Sequence, residues 1–179
     1  MRRQSSGFTL VELIITIVIM VILAGIAAPS FLQSIDNRRL SGAAEAVKNA
    51  MHVARSQAFQ RSTATCISVN KDAVDQWIVV EAGGCSSGAC TAGTDGCLMQ
   101  ARSSEFPGVT TGADFEEAIF DPVRGTVQSF LDANEALGTV QLTSTRGSRL
   151  DVQLNLMGRA RICAPSGGQG AGNLGYGPC

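Results

Sequence analysis

Residues 8–28 form a run of 21 residues before Pro29 that carries a single charged side chain, Glu12. Within residues 13–28 only Thr16 and Gly25 interrupt the apolar character. As a helix rising about 1.5 Å per residue, such a run spans roughly 30 Å, the hydrocarbon thickness of a bilayer. Arg2 and Arg3 precede the run and no basic residue lies within it. That asymmetry places its beginning on the cytoplasmic side and the remainder of the chain on the opposite side.

An ordinary export signal, cut near Ala27 or Ala28, is the simplest reading of such a segment. Three features oppose it. The run is longer than the usual apolar core of about 7–15 residues. Glu12 sits inside it, where an ionised carboxylate costs several kcal/mol unless paired. The helical pattern also continues past the expected cut. Leu40, Ala43, Ala44, Val47, Ala50, Met51, Ala54 and Ala58 recur at i, i+3, i+4, i+7 spacing, which predicts an amphipathic helix with one narrow buried face ending near Arg61 and Ser62. Arg38, Arg39, Glu45, Lys48 and Arg55 fall on its other faces, and His52, the sole histidine, reads as a surface residue. Gly25, Pro29 and Gly42 are points where the helix is expected to loosen.

Strand patterns come next. Residues 63–69 and 76–81 flank the turn-like Asn70-Lys71-Asp72 and predict a hairpin. Residues 83–97 are rich in Gly, Ser, Thr and Cys and read as a stapled loop, with a third strand over 97–102. Residues 106–137 mix short strand and turn signals without a single reading. Residues 139–143 and 149–155 predict strands joined around Arg146-Gly147-Ser148. In the second, Leu150, Val152, Leu154 and Leu156 alternate with Asp151, Gln153 and Asn155, the pattern of a half-buried strand. After the turn at Met157-Gly158 a last strand over 159–164 turns Ala160 and Ile162 inward and Arg159 and Arg161 outward, about 7 Å apart along one face.

All six cysteines lie at or beyond Cys66. An even count behind an export segment predicts disulfides made outside the cytoplasm. The spacings Cys85-x4-Cys90 and Cys90-x6-Cys97 do not match the C-x2-C pairs of a structural zinc site, so no metal and no cofactor is expected. The expected pairs are Cys163 with Cys179, Cys66 with Cys97, and Cys85 with Cys90. The net charge is only −1, but its distribution is uneven. From Asp95 to Glu135 eight acidic residues meet two arginines, whereas beyond that stretch Arg146, Arg149, Arg159 and Arg161 face Asp151 alone. A locally basic end of this kind is able to hold anions.

Ser6-Gly7-Phe8-Thr9-Leu10-Val11-Glu12-Leu13 resembles the type IV prepilin signal. The resemblance implies cleavage between Gly7 and Phe8 by a prepilin peptidase, N-methylation of Phe8, retention of the helix, and pairing of Glu12 with the terminal amine of a neighbouring subunit during filament assembly. Glycine before the cut leaves a protease unobstructed. A buried carboxylate offered a buried amine selects registration. Ala54-Arg55-Ser56-Gln57-Ala58, Arg61, Cys66, Trp77-Ile78-Val79-Val80 and Gly158-Arg159-Ala160-Arg161 are, in that order, similar to the GspH/FimT group of minor pilins and pseudopilins. The matches span residues 6 to about 163, leaving the 83–97 insert and the tail beyond 165 without a counterpart.

The expected fold is α+β, a type IV pilin fold in which a long N-terminal helix, membrane-spanning in its first half, packs on an antiparallel sheet domain. The expected organisation is a leader over 1–7, a membrane or filament-core helix over 8–29, an amphipathic continuation over 30–62, a sheet domain over 63–164 and a glycine-rich tail over 165–179. The expected location is the bacterial inner membrane, with the sheet domain periplasmic, and the pilus. The expected partners are other pilins and minor pilins, the prepilin peptidase and the inner-membrane assembly platform.

Two filaments fit the export helix equally, a type IV pilus and a type II secretion pseudopilus; the cysteines and the closed tail are more like the pilus. The resemblance to FimT-type proteins adds a third reading, capture of double-stranded DNA through Arg159 and Arg161, widened by Arg146 and Arg149. The competing reading is that these arginines solvate a sheet face or pair with acidic groups. An enzyme is not expected: one histidine, no Ser/His/Asp arrangement and no phosphate-cradling glycine loop leave no catalytic constellation.

Overall fold

The computed structural model describes residues 8–70, 76–85, 96–131, 137–166 and 174–179. Its first element is the helix α1, Leu10–Arg61, which runs through Gly25, Pro29 and Gly42. Its residues belong to two compact units, Met1–Ile35 and Asp36–Cys179. In the second unit the helix ends at Ser62, which takes a left-handed φ of 53° and donates its N–H to the Phe59 carbonyl at 3.4 Å. This closing geometry satisfies one of the last orphan carbonyls.

The second unit wraps two antiparallel sheets around the helix face. One has strand order β3-β2-β1-β5-β6, built from β1 (Thr65–Val69), β2 (Gln76–Ala82), β3 (Cys97–Arg102), β5 (Glu117–Phe120) and β6 (Val127–Leu131). The other has order β4-β7-β8-β9, from β4 (Val109–Ala113), β7 (Leu137–Ser144), β8 (Arg149–Asn155) and β9 (Ala160–Cys163). All eight expected apolar helix positions, Leu40 to Ala58, are at most 1% exposed. They join one core with Ile67, Ile78 and Val80 of the first sheet and Val140, Leu142, Val152 and Leu154 of the second. Five of the eight are alanine, which brings the helix axis close to the strands. Gly42 extends that approach: a Cβ there would stand 3.2 Å from the Phe106 ring, which itself stacks on Trp77 with centroids 6.1 Å apart.

Residues 132–136 lie outside the described residues; residues 106–131 resolve as β4, β5 and β6, preceded by a short 3-10 turn at Ser103–Glu105. Their ambiguity in sequence has a physical origin: each strand has at most five residues, too few for a period to emerge. The hairpin of β1 and β2 pairs Cys66 with Glu81 and Val69 with Ile78; Lys71 and Asp72 of its turn lie outside the described residues. In β8 the expected alternation fails at two positions. Asp151 is buried, because Arg149 two residues earlier on the same face donates from Nε to its Oδ1 at 3.0 Å. Leu156 falls beyond the strand and is 42% exposed.

Disulfides join Cys66 to Cys85 and Cys163 to Cys179, with Cα separations of 5.2 and 5.0 Å. The first corrects two expected pairs, Cys66 with Cys97 and Cys85 with Cys90. Register explains why. Cys66 on β1 and Cys97 on β3 both stand opposite Glu81 of β2, which lies between them. Two strand spacings amount to roughly 9–10 Å, beyond the reach of a disulfide. After β2 the chain instead continues along β1, Gly83 donating its N–H to the Ala64 carbonyl at 2.7 Å, and this delivers Cys85 to Cys66. Cys97 is also disulfide-bonded; Cys90 lies outside the described residues. The tail returns to β9, Ala164 donating to the Gly177 carbonyl at 2.9 Å and Cys179 to the Ala164 carbonyl at 3.1 Å.

Candidate functional site

Two parts of the chain carry residues singled out by sequence. In the first unit Phe8 is 81% exposed, and the apolar side chains from Leu10 to Leu23 are all at least half exposed. The most apolar window has mean hydropathy 2.9 and none of it is buried within the chain. A surface of this kind is stable only against lipid or apolar neighbours. Its polar groups are satisfied locally: Thr16 donates its hydroxyl to the Leu13 carbonyl at 2.8 Å. Thr9 caps the helix, accepting the Glu12 N–H on Oγ1 at 3.3 Å, with Thr9-x-x-Glu12 at the spacing of a capping box. Among the described residues the Glu12 carboxylate makes no ion pair. Gly7 lies outside them.

In the second unit the four arginines separate into two kinds. Arg146 pairs through Nε with Asp36 Oδ2 at 2.9 Å, and Arg149 pairs with the buried Asp151. Both stand at the β7–β8 end of β8. Arg159 and Arg161 stand at the opposite end, where Gln153 is in register with Arg161 and Asn155 Oδ1 accepts the Arg159 N–H at 2.9 Å. From Arg149 to Asn155 the strand rise amounts to roughly 20 Å. The expected widening of the basic patch by Arg146 and Arg149 is therefore not what the fold builds; distance and local carboxylates remove both.

Ala160 and Ile162 pack on the core and leave Arg159 and Arg161 exposed. Their roles nonetheless differ. Arg161 is occupied: Nε and NH2 donate to Gln153 Oε1 at 2.9 and 2.7 Å, and NH2 donates to the main-chain oxygen of Cys179 at 3.3 Å. It latches the disulfide-closed tail to β8. The Arg159 guanidinium has no such partner among the described residues.

Arg159 shares a cleft with Arg55 and Arg124, which the sequence pattern does not bring to this site. Gly158 makes this possible. At φ +70° it takes a conformation disfavoured for side chains, and a Cβ on it would collide with the Gly125 carbonyl oxygen. Gly125, at φ +61°, likewise leaves room for the Phe59 ring. Helix end, β5–β6 turn and β8–β9 turn thus meet without side chains between them. Arg55 NH1 donates to the Gly158 carbonyl at 3.4 Å, while its Nε is buried without a hydrogen-bond partner.

Asp121 organises the turn that carries Arg124. Its Oδ1 accepts the N–H groups of Val123 at 2.7 Å and Arg124 at 2.6 Å, and Oδ2 accepts Gln128 Nε2 at 3.0 Å. The Arg124 N–H, the Gln128 amide and the Val123 N–H hold this carboxyl below the usual carboxylate range, with the Arg124 charge adding to them. Arg124, which lies within the acidic stretch from Asp95 to Glu135, thus lines a cleft with Arg159. The Asp121-Pro122-Val123-Arg124-Gly125 turn signature is the legible signal, since Asp, Pro and Gly mark a tight turn.

Comparison with known proteins agrees with this architecture. A prokaryotic N-terminal methylation motif matches residues 2–28, and the model of the type II transport protein GspH family matches residues 43–158. The type IV minor pilin FimU of Pseudomonas aeruginosa strain PAO1 is 21% identical, with a TM-score of 0.50 over 70% of this chain and 88% of that one. A second crystal form of FimU gives 20% identity and a TM-score of 0.48 over 68% and 90% of the two chains. No curated protein matches the chain closely in sequence. A long helix on antiparallel sheets, a methylation motif and a GspH match over most of the second unit establish that the chain belongs to the GspH/FimT family of type IV pilin-like proteins.

Proposed function

We propose that the chain is a minor pilin of a type IV pilus, cut after Gly7, methylated on Phe8 and assembled through its N-terminal helix. The observation that carries this reading is the exposed apolar first part of the helix, with one carboxylate, Glu12, in its first turn and unpaired among the described residues. Such a helix waits for apolar neighbours, and such a carboxylate for a cation that the described residues do not supply. The terminal amine of a neighbouring pilin provides it. The prepilin peptidase and the inner-membrane assembly platform are the other partners, and the sheet domain lies on the periplasmic side before assembly. Intact-mass measurement of the mature protein tests this: loss of residues 1–7 with one added methyl supports it, and a terminus at Ala28 or beyond overturns it.

The GspH match favours a second reading, a minor pseudopilin of a type II secretion system. Sheared surface filaments separate the two. A pilus subunit is recovered in them and a pseudopilin is not.

Capture of double-stranded DNA is a further function of the same domain. Its support is the exposed Arg159 at the sheet edge, which makes no ion pair among the described residues. Arg161 contributes through its charge while it holds the tail. Binding of this kind is weak per subunit, sensitive to salt and indifferent to sequence. A low-salt titration with duplex DNA tests it, and equal binding by Arg159→Gln would leave only the structural role.

A further inference from the structure

We propose that Arg55, Arg124 and Arg159 together form a phosphate-binding cleft that seats a backbone phosphate of double-stranded DNA, an inference that rests on the DNA reading above. The cleft measures about 410 Å³ and is lined by Arg55, Arg124, Thr126, Asn155, Met157 and Arg159. Three of these six residues are guanidinium-bearing and none is a carboxylate. They come from the helix end, the β5–β6 turn and the β8–β9 turn, so the convergence exists only in the folded domain.

Direct ion pairs hold Arg146 and Arg149, whereas Arg124 meets the Asp121 carboxylate only through its charge. Among the described residues neither Arg124 nor Arg159 makes a side-chain hydrogen bond or ion pair. The nearest carboxylate in the turn, Asp121, is committed to the Val123 and Arg124 N–H groups and to Gln128. Arg55 lines the cleft as well, with its NH1 on the Gly158 carbonyl at 3.4 Å and its Nε buried beside Gly125 and Gly158. A guanidinium fork suits the paired oxygens of a phosphate better than an ammonium does. Asn155 already accepts the Arg159 N–H on Oδ1, which leaves its amide N–H groups as donors beside the cleft, with the Thr126 hydroxyl.

The experiment uses the full chain in zwitterionic detergent, with two probes: a random-sequence duplex, followed by fluorescence anisotropy across a salt series, and inorganic phosphate, followed by the 15N-resolved Nε–H signals of the arginines. Arg124 is exposed and holds no side-chain hydrogen bond among the described residues, so its replacement is expected to leave the fold intact. Arg124→Gln is therefore expected to weaken duplex binding several-fold at low salt and to lower the log–log salt slope by about 0.9. Arg146→Gln is expected to change neither. Phosphate is expected to shift the Arg55, Arg124 and Arg159 signals together. Arg55→Lys, checked by its melting transition, keeps the charge and removes the fork, so weaker phosphate binding by a folded Arg55→Lys protein supports the site. Duplex binding lost in Arg159→Gln but unchanged in Arg124→Gln overturns the cleft and leaves the DNA reading standing. Phosphate shifts at all three arginines without duplex binding overturn DNA as the source of the phosphate and uphold the seat. Phosphate shifts at none of them overturn the seat itself.

Discussion

Arg55 on the helix and Gly158 in the β8–β9 turn are joined by a guanidinium-to-carbonyl hydrogen bond of 3.4 Å across 103 positions of sequence. The bond fastens the turn that presents Arg159 to the element that organises the core. Gly158 is the only type of residue that fits this position: its φ is +70°, and its Cα faces the Gly125 carbonyl. The glycine before Arg159 is thus a packing requirement, and the arginine after it is what the packing displays.

Gly158→Ala is expected to destabilise the folded domain by roughly 1–3 kcal/mol, from left-handed strain together with the displaced Gly125 carbonyl. Denaturant unfolding measures this. A loss below about 0.5 kcal/mol would mean that the turn relaxes freely and that the contact with Arg55 is incidental.

Glu12 and Thr9 separate assembly from local capping. The Thr9 hydroxyl accepts the main-chain N–H of Glu12, not its side chain. Glu12→Ala therefore keeps the cap while removing the carboxylate, and is expected to leave the protein in the membrane but sharply reduced in sheared filaments. Thr9→Ala is expected to cost about 1 kcal/mol of helix stability with filament levels nearly kept. Wild-type levels of the Glu12 variant in filaments would remove it as the assembly contact.

Non-reduced peptide mapping of exported protein is expected to recover Cys66 with Cys85 and Cys163 with Cys179. Replacing both Cys163 and Cys179 by Ser should lower stability by about 3 kcal/mol on the chain-entropy estimate for a loop of this size. It should also free Arg161 from Cys179. Recovery of a Cys66–Cys97 peptide would contradict the register of β1, β2 and β3.

Asp121 gives a pH dependence with a definite sign. Its folded-state carboxyl titrates below its ordinary value because the ionised form accepts three hydrogen bonds. Its contribution to the turn is therefore present above the unfolded value of about 3.9 and is lost as pH falls through the lower folded value. The Val123 and Arg124 amide signals should keep their native positions until the pH is below the ordinary carboxylate range, and Asp121→Asn should abolish that titration. A midpoint near 4 would show that the carboxylate is not held by these donors.

Helical and strand periodicity are local properties, and the sequence alone determined the features that depend on them. The apolar run announced a helix that needs an apolar environment, because its 21 residues leave it without a polar face to turn to water. Leu40 through Ala58 named the buried helix face residue by residue, since each turn repeats the same geometry. Alternation in the last strand placed Arg159 and Arg161 outside. The features that required tertiary structure depend on which strand lies beside which. Cys66 meets Cys85 and not Cys97 because β2 is inserted between β1 and β3. Arg146 and Arg149 are neutralised because Asp36 and Asp151 fold against them, whereas Arg159 keeps its charge and gains Arg55 and Arg124 as neighbours. A charge written in sequence has a sign only; its partner, and hence its availability to an anion, is set by residues that lie as much as 110 positions away and that the fold brings within a few ångströms.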